Sequence, residues 1–227
     1  RMLRTGNFSP FSYTYPTLYV YTQVGLAWLH YAWGTALGIY SSPADINPAA
    51  FYIWARTLTA VLGTGCVALT ALIGHKLYGW LVGLSAAALL AVLPSVSADA
   101  HYVTVDTPAS FMTLLAFWAI MRMLHHYLPL QNSSAFRKHD KLASQAMAFL
   151  RSDSSIEKSK NLILPGVLVG LAASTKYTCG ILIIALTIAC LILAWNSSTT
   201  IAERLRLTLW YTAIAGFAAL LGFTLGT

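Results

Sequence analysis

Long apolar runs alternate with short polar connections along most of this chain. Spans are read at Phe51 to Gly74, Tyr78 to Ser97, Thr107 to Met123, Asn161 to Ser174, Tyr177 to Trp195 and Leu207 to Gly226. A helix of about 20 mostly apolar residues crosses the hydrocarbon of a bilayer. In lipid every backbone polar group must be paired internally, so only helices or closed barrels can span it. These runs are too long for barrel strands. The pattern therefore predicts an all-α, polytopic transmembrane helix bundle with six spans from Phe51 onward.

The connections are short. His75-Lys76 and Lys176 occupy tight turns, and Asp99 to Asp106 forms a polar loop. Residues 125–160 are the long polar stretch, and within it Asp140 to Leu150 has the pattern of an amphipathic helix lying on the membrane surface. Ahead of the first clear span, residues 1–16 read as loop. Thr17 to Tyr40 is aromatic-rich and carries Gln23 and His30, and Ser41 to Pro48 is a turn cluster.

Composition agrees with the pattern: 57% of the 227 residues are hydrophobic and 9% are charged, against about 25% charged in an ordinary soluble domain. The net charge of +7 is no nucleic-acid footprint, because the basic residues cluster between spans. That usage sets membrane orientation. With spans alternating from Phe51, Lys76, Arg122, Arg137, Lys138, Lys141, Arg151, Lys158, Lys160, Arg204 and Arg206 fall on one side, which is read as cytoplasmic. Asp45, Asp99, His101, Asp106 and Lys176 fall on the other. The expected organisation of 1–227 is a partial transmembrane domain. It comprises an external loop with a juxtamembrane or re-entrant helix (1–50), three spans (51–124), a cytoplasmic loop (125–160) and three more spans (161–227). Cys66, Cys179 and Cys190 lie in apolar runs without metal-ligand spacing and read as packed thiols. The opening on Arg1 and the close on Thr227 read as those of a fragment or processed product.

Ionisable residues at membrane depth or its boundary are the candidates for function. Asp106, followed by Thr107 and Pro108, suits a helix N-cap. It equally suits a carboxylate facing a polar ligand. Asp99 and His101 share its loop, and His101 reads either as a solvated loop histidine or as a ligand contact. Arg56 sits near the start of a span, where it can snorkel to the interface or hold a phosphate by paired hydrogen bonds. Lys176 is a turn lysine on the side opposite the basic loops. It reads as a snorkelling side chain or as a point charge for a lipid phosphate. Tyr13, Tyr15, Pro16 and Tyr19 form an aromatic cluster typical of an interfacial belt. Gly166 and Gly170 make a GxxxG, the usual mark of close helix packing. Asn7-Phe8-Ser9 fits a glycosylation sequon, meaningful in a eukaryotic lumen.

The order of these segments is specific. RTGNFSPFSYTYPTLYVY is followed by a span with Ala55-Arg56 near its start, a basic turn and a span ending in Pro94. DAHYVTVDTPASFMTLLAFWAIMR and GLAASTKYTCGILI follow. The chain resembles the GT-C class of polytopic membrane glycosyltransferases. Its nearest branch is the family-39-like one that holds protein O-mannosyltransferases and aminoarabinose transferases. The resemblance implies transfer of a sugar from a polyprenyl-phosphate carrier to a protein, lipid or glycan acceptor on the outer or luminal face. It implies a multi-pass protein of the plasma membrane in a prokaryote or of the endoplasmic reticulum in a eukaryote. The family's acidic catalytic motif, often Asp-Glu, would precede residue 1, so residues 1–227 alone are expected to lack turnover. The later external acidic position corresponds to Asp106, and the basic turn residue to Lys176. The aromatic-proline stretch corresponds to Tyr15-Pro16, where some members carry a basic residue in place of Tyr15.

On this reading Asp106 is the catalytic candidate. Arg56, Lys176, Tyr15, His101 and Asp99 are the substrate-binding candidates. A departing phosphate needs cations and an acceptor hydroxyl needs a base. The resemblance leaves room for a divalent metal, but no ligand cluster supports one. The competing class is a transporter or lipid-binding membrane protein without catalysis, since broken helices with Gly and Pro also occur there. Charges at span ends rather than at mid-span favour chemistry at the outer surface. If the catalytic loop and Asp45 are both external, the segment 17–40 does not cross the bilayer.

Overall fold

A computed structural model describes residues 2–10, 16–127, 159–197 and 200–227. Tyr15 and the Asp140 to Leu150 segment lie outside the described residues. The described regular structure is helical: α1 (Met2–Thr5), α2 (Leu18–Ala36), α3 (Pro48–Tyr78), α4 (Trp80–Val92), α5 (Pro94–His101), α6 (Asp106–Tyr127), α7 (Ile163–Thr175), α8 (Leu182–Trp195) and α9 (Ile201–Gly226). Two 3₁₀ turns, Pro43–Asp45 and Tyr177–Ile181, precede α3 and α8.

Four stretches are long and apolar enough to cross a membrane: Pro48–Tyr78, Asp106–Tyr127, Tyr177–Trp195 and Ile201–Gly226. The pair α4 and α5 makes a fifth when counted as one span bent by 61°. This is a multi-pass integral membrane protein. The sixth expected span is α7, whose 13 residues cover only about 20 Å at 1.5 Å per residue, short of a hydrocarbon core of about 30 Å. The bend has a local cause. Pro94 opens α5 and disfavours helical geometry at Leu93, which is extended at φ −69°, ψ 117°.

Between α3 and α4 the chain reverses at Gly79, whose φ of +95° suits glycine. The returning helix packs backbone to backbone: a Cβ on Gly74 would lie 2.8 Å from Gly83 Cα. Before α3, the Ser42 and Ser41 N–H groups bond Asp45 and hold its carboxyl below the usual carboxylate range.

Tyr211, Leu162, Leu186, Leu193, Val169 and Cys190 are fully buried and hold α6, α7, α8 and α9 together. Cys66 is also buried, and all three cysteines are free thiols. Leu81, Leu225 and Ile53 are exposed, as lipid-facing side chains should be. Lipid is as apolar as leucine, so helices here associate by close packing rather than by escape from water. The α7–α9 contact shows this: a Cβ on Gly166 would lie 2.6 Å from the Ala215 carbonyl oxygen, and one on Gly170 would overlap the Ala219 carbonyl. The GxxxG is a helix-packing motif.

α2 is anchored at Thr17 and at His30, both toward the end of the bundle where α3 begins and α9 ends. Thr17 Oγ1 donates to the carbonyls of Gly226 (3.3 Å) and Thr227 (3.0 Å). Farther along, His30 is buried against Trp54 and Phe51 near the start of α3 and bonds the Tyr40 hydroxyl at 3.0 Å. Cysteines placed at Ser9 and Ser42 are therefore expected to react with a membrane-impermeant thiol reagent from the same face. Labelling from opposite faces would make α2 a crossing helix.

Candidate functional site

Lys176 and Asp106 meet: Nζ donates to the Asp106 carboxylate at 2.6 Å, across 70 positions of sequence. The local sequence prepares both partners. At the end of α7, the Ser174 and Thr175 hydroxyls donate back to the Leu171 carbonyl, at 2.8 and 3.0 Å. Such bonds compete with continued helix, and Lys176 is extended at φ −150°, ψ 126°. Asp106 opens α6 between the buried residues Val105, Thr107, Pro108 and Ala109. The Cys179 thiol lies 4.0 Å from the Ala109 carbonyl and ties the turn after Lys176 to α6.

Length matters at this pairing. From Asp106 to Tyr127, α6 rises about 32 Å, while Asn161 to Lys176 rises only about 22 Å. Asn161 nevertheless bonds the Tyr127 hydroxyl at one end and Lys176 bonds Asp106 at the other. The long Lys176 side chain at one end and the long Tyr127 side chain of α6 at the other help close the difference. The pair is part-exposed, with 32% of the lysine side chain and 48% of the aspartate side chain accessible. An ion pair that open contributes about 0–1 kcal/mol to stability. Fold stability alone is a weak reason for it.

The other candidates sit elsewhere. Arg56 is exposed on α3, its guanidinium 5.9 Å from the Tyr52 ring centroid. The neighbouring position, Ala55, takes the buried face. Gly63 of that helix sits beside Thr107, a Cβ there lying 3.6 Å from its methyl. Arg56 is seven residues nearer the start of α3, about 10 Å along the axis. Among the described residues no hydrogen bond or ion pair brings it to Asp106 or Lys176. Asp99 and His101 are exposed near the end of α5, and His101 Nδ1 lies 2.6 Å from the Ser97 carbonyl. Among the described residues no three His, Cys, Asp or Glu side chains are placed to hold a metal ion.

Inspection of the sequence missed two features at this end. The Tyr19 hydroxyl lies 3.3 Å from Thr59 Oγ1, which itself donates to the Ala55 carbonyl. Beside that contact, an open cleft of about 510 Å³ runs between α2 and the start of α3, lined by Tyr19, Gln23, Val24, Ala27 and Phe51 among others. Only a period-3.6 comparison of the two segments could have paired Tyr19 with Thr59, and many other registers fit equally well.

Residues 36–225 match the family model described as dolichyl-phosphate-mannose-protein mannosyltransferase. The chain belongs to that family. The match covers most of the chain and includes Arg56, Asp99, His101, Asp106 and Lys176, while Tyr15 precedes it. The GT-C resemblance and the helical membrane architecture agree with membership of this mannosyltransferase family. The family description names mannosyl transfer from dolichyl phosphate to protein. Curated proteins and solved structures gave no match.

Proposed function

We propose that the full-length protein transfers mannose from dolichyl-phosphate mannose to a protein hydroxyl at the Asp106–Lys176 end of the bundle. The observation that carries this reading is the ion pair between those two residues, within the segment that matches the family. Lys176 supplies positive charge for the donor phosphate as it departs, and Asp106 fixes the lysine's position. Charge placed before the reaction where phosphate charge will develop lowers the barrier without reorganisation. Arg56, nearer the start of α3, assists at the headgroup level rather than at the reacting bond. Asp99 and His101 line the approach. The resemblance assigns the base for the acceptor hydroxyl to an acidic motif of the family's first external loop. The basic end, with Lys76, Arg122 and Lys160, faces the cytoplasm, and the site faces the lumen or exterior.

The test is mannosyl transfer from dolichyl-phosphate mannose to an acceptor peptide by the reconstituted full-length protein. Lys176→Ala should lower turnover about 100-fold, within the range for removing one preorganised electrostatic contact. Lys176→Arg should retain part of it, because arginine keeps the charge but not the point geometry. Turnover of both variants within about twofold of the parent would reduce Lys176 to a surface residue, since exposed single substitutions seldom exceed about 0.5 kcal/mol.

A further inference from the structure

A second cleft lies at the opposite end of the bundle from Asp106 and Lys176. Its volume is about 550 Å³, and five basic side chains from three chain segments line it. Lys76 comes from the last turn of α3, Arg122, His125 and His126 from the end of α6, and Lys160 from the turn leading into α7. The hydrogen bond between Asn161 and the Tyr127 hydroxyl joins two of these walls. Among the described residues no carboxylate lines the cleft. The sequence of 128–158 does not reverse the balance, because it carries Arg137, Lys138, Lys141, Arg151 and Lys158 against Asp140, Asp153 and Glu157.

We infer that this cleft binds the phosphate headgroup of an anionic phospholipid in the leaflet at the basic end. Three observations select a lipid. Lys76 and Arg122 lie near the C-terminal ends of two helices long and apolar enough to cross a membrane, where lipid headgroups are met. The cleft is also amphipathic: Met123, Leu164 and Pro165 give it an apolar wall, and Leu164 is exposed where an acyl chain would leave. Finally, Arg122 offers a planar fork of donors suited to phosphate oxygens, beside lysines that add point charge. Basic pockets between transmembrane helices on the cytoplasmic side are a recognised setting for such headgroups. Basic residues at helix C-termini also offset the helix dipole, as His75 and Lys76 do on α3. That role involves each helix separately and requires no shared cleft.

The experiment measures lipid retention by the full-length protein in nanodiscs, using native mass spectrometry. The discs contain phosphatidylcholine alone or phosphatidylcholine with phosphatidic acid. Retention of phosphatidic acid should fall about 30-fold in the double variant Lys76→Gln/Arg122→Gln, from the loss of two headgroup charges. Phosphatidylcholine retention and the unfolding midpoint should not change. A control double variant, Arg204→Gln/Arg206→Gln, removes equal charge from the same end outside this cleft and should cost retention about tenfold less than the cleft variant does, because it loses only screened surface attraction. Equal losses in the two double variants would overturn the site in favour of diffuse surface attraction. So would displacement of the lipid by inorganic phosphate, which would make the ligand a soluble phosphate. The readout does not involve sugar transfer, so it stands or falls independently of the proposed activity.

Discussion

Gly170→Ile should separate α7 from α9 and cost the bundle much of its stability. A side chain of any size at position 170 starts with a Cβ that overlaps the Ala219 carbonyl and lies 2.6 Å from the Phe223 backbone nitrogen. The opposing atoms are backbone, so no rotamer change can relieve the contact. Overpacking a tight core typically costs 1–3 kcal/mol and occasionally more, and this contact belongs at the upper end, at about 3 kcal/mol or above. Gly170→Ala should already be clearly destabilising, although alanine is the better helix former by about 1 kcal/mol in water. Gly216 provides the contrast. A Cβ there meets nothing within 4 Å, so Gly216→Ala should be neutral or mildly stabilising. Denaturation of the purified protein in mixed micelles measures all three, and equal midpoints for the 170 and 216 alanine variants would refute the close backbone packing.

Exchanging the charges at the ion pair should separate its structural role from the proposed chemical one. Asp106→Lys puts two lysines together and a cation at the start of α6, where a negative charge is favoured by about 0.3–1 kcal/mol. Because the pair is part-exposed, the stability lost should be small, about 1 kcal/mol. Turnover of the full-length protein should fall by at least about 100-fold. The double exchange Asp106→Lys/Lys176→Asp restores opposite charges across the same gap and should recover most of the stability. It should not recover activity, because the positive group then hangs from α6 and position 176, proposed to face the donor phosphate, carries a negative charge. Recovery of turnover in the double exchange would show that the pair only needs to be an ion pair, and would remove Lys176 from the donor site.

The helices and their general order could be read from the chain because lipid restricts the backbone to few structures, and apolar runs show directly. The common side of Asp106 and Lys176 could be read as well, from the alternation of spans and basic loops. Their direct contact could not, because it depends on how α6 and α7 settle against each other and on the early end of α7. Spacing predicted the Gly166 and Gly170 packing role, but not the partner surface of Ala215, Ala219 and Gly222, since many small residues in the chain could have served. Arg56 was placed on the correct helix. Its rotation was not legible, because Ala55 and Thr59 take the buried face and turn the arginine outward. The aromatic surroundings of His30 were hidden for a similar reason: Trp54 and Phe51 belong to a different helix.

The glycine contact between α7 and α9 has a mechanical consequence. Where two backbones touch with no side chains between them, nothing at the contact can switch conformers, and the pair behaves as a stiff pillar. Lys176 stands at the end of that pillar, and the Ser174 hydroxyl is lodged against Gly226 beside it. Its position is set by the frame rather than by its own torsions alone. Any widening needed to admit a bulky sugar must then come from the other walls. α4 is pinned to α3 by the same kind of contact at Gly74 and Gly83, so α2, which meets the start of α3 through side chains such as Tyr19 and His30, is the wall that can give while the charge at the pillar's tip stays in place.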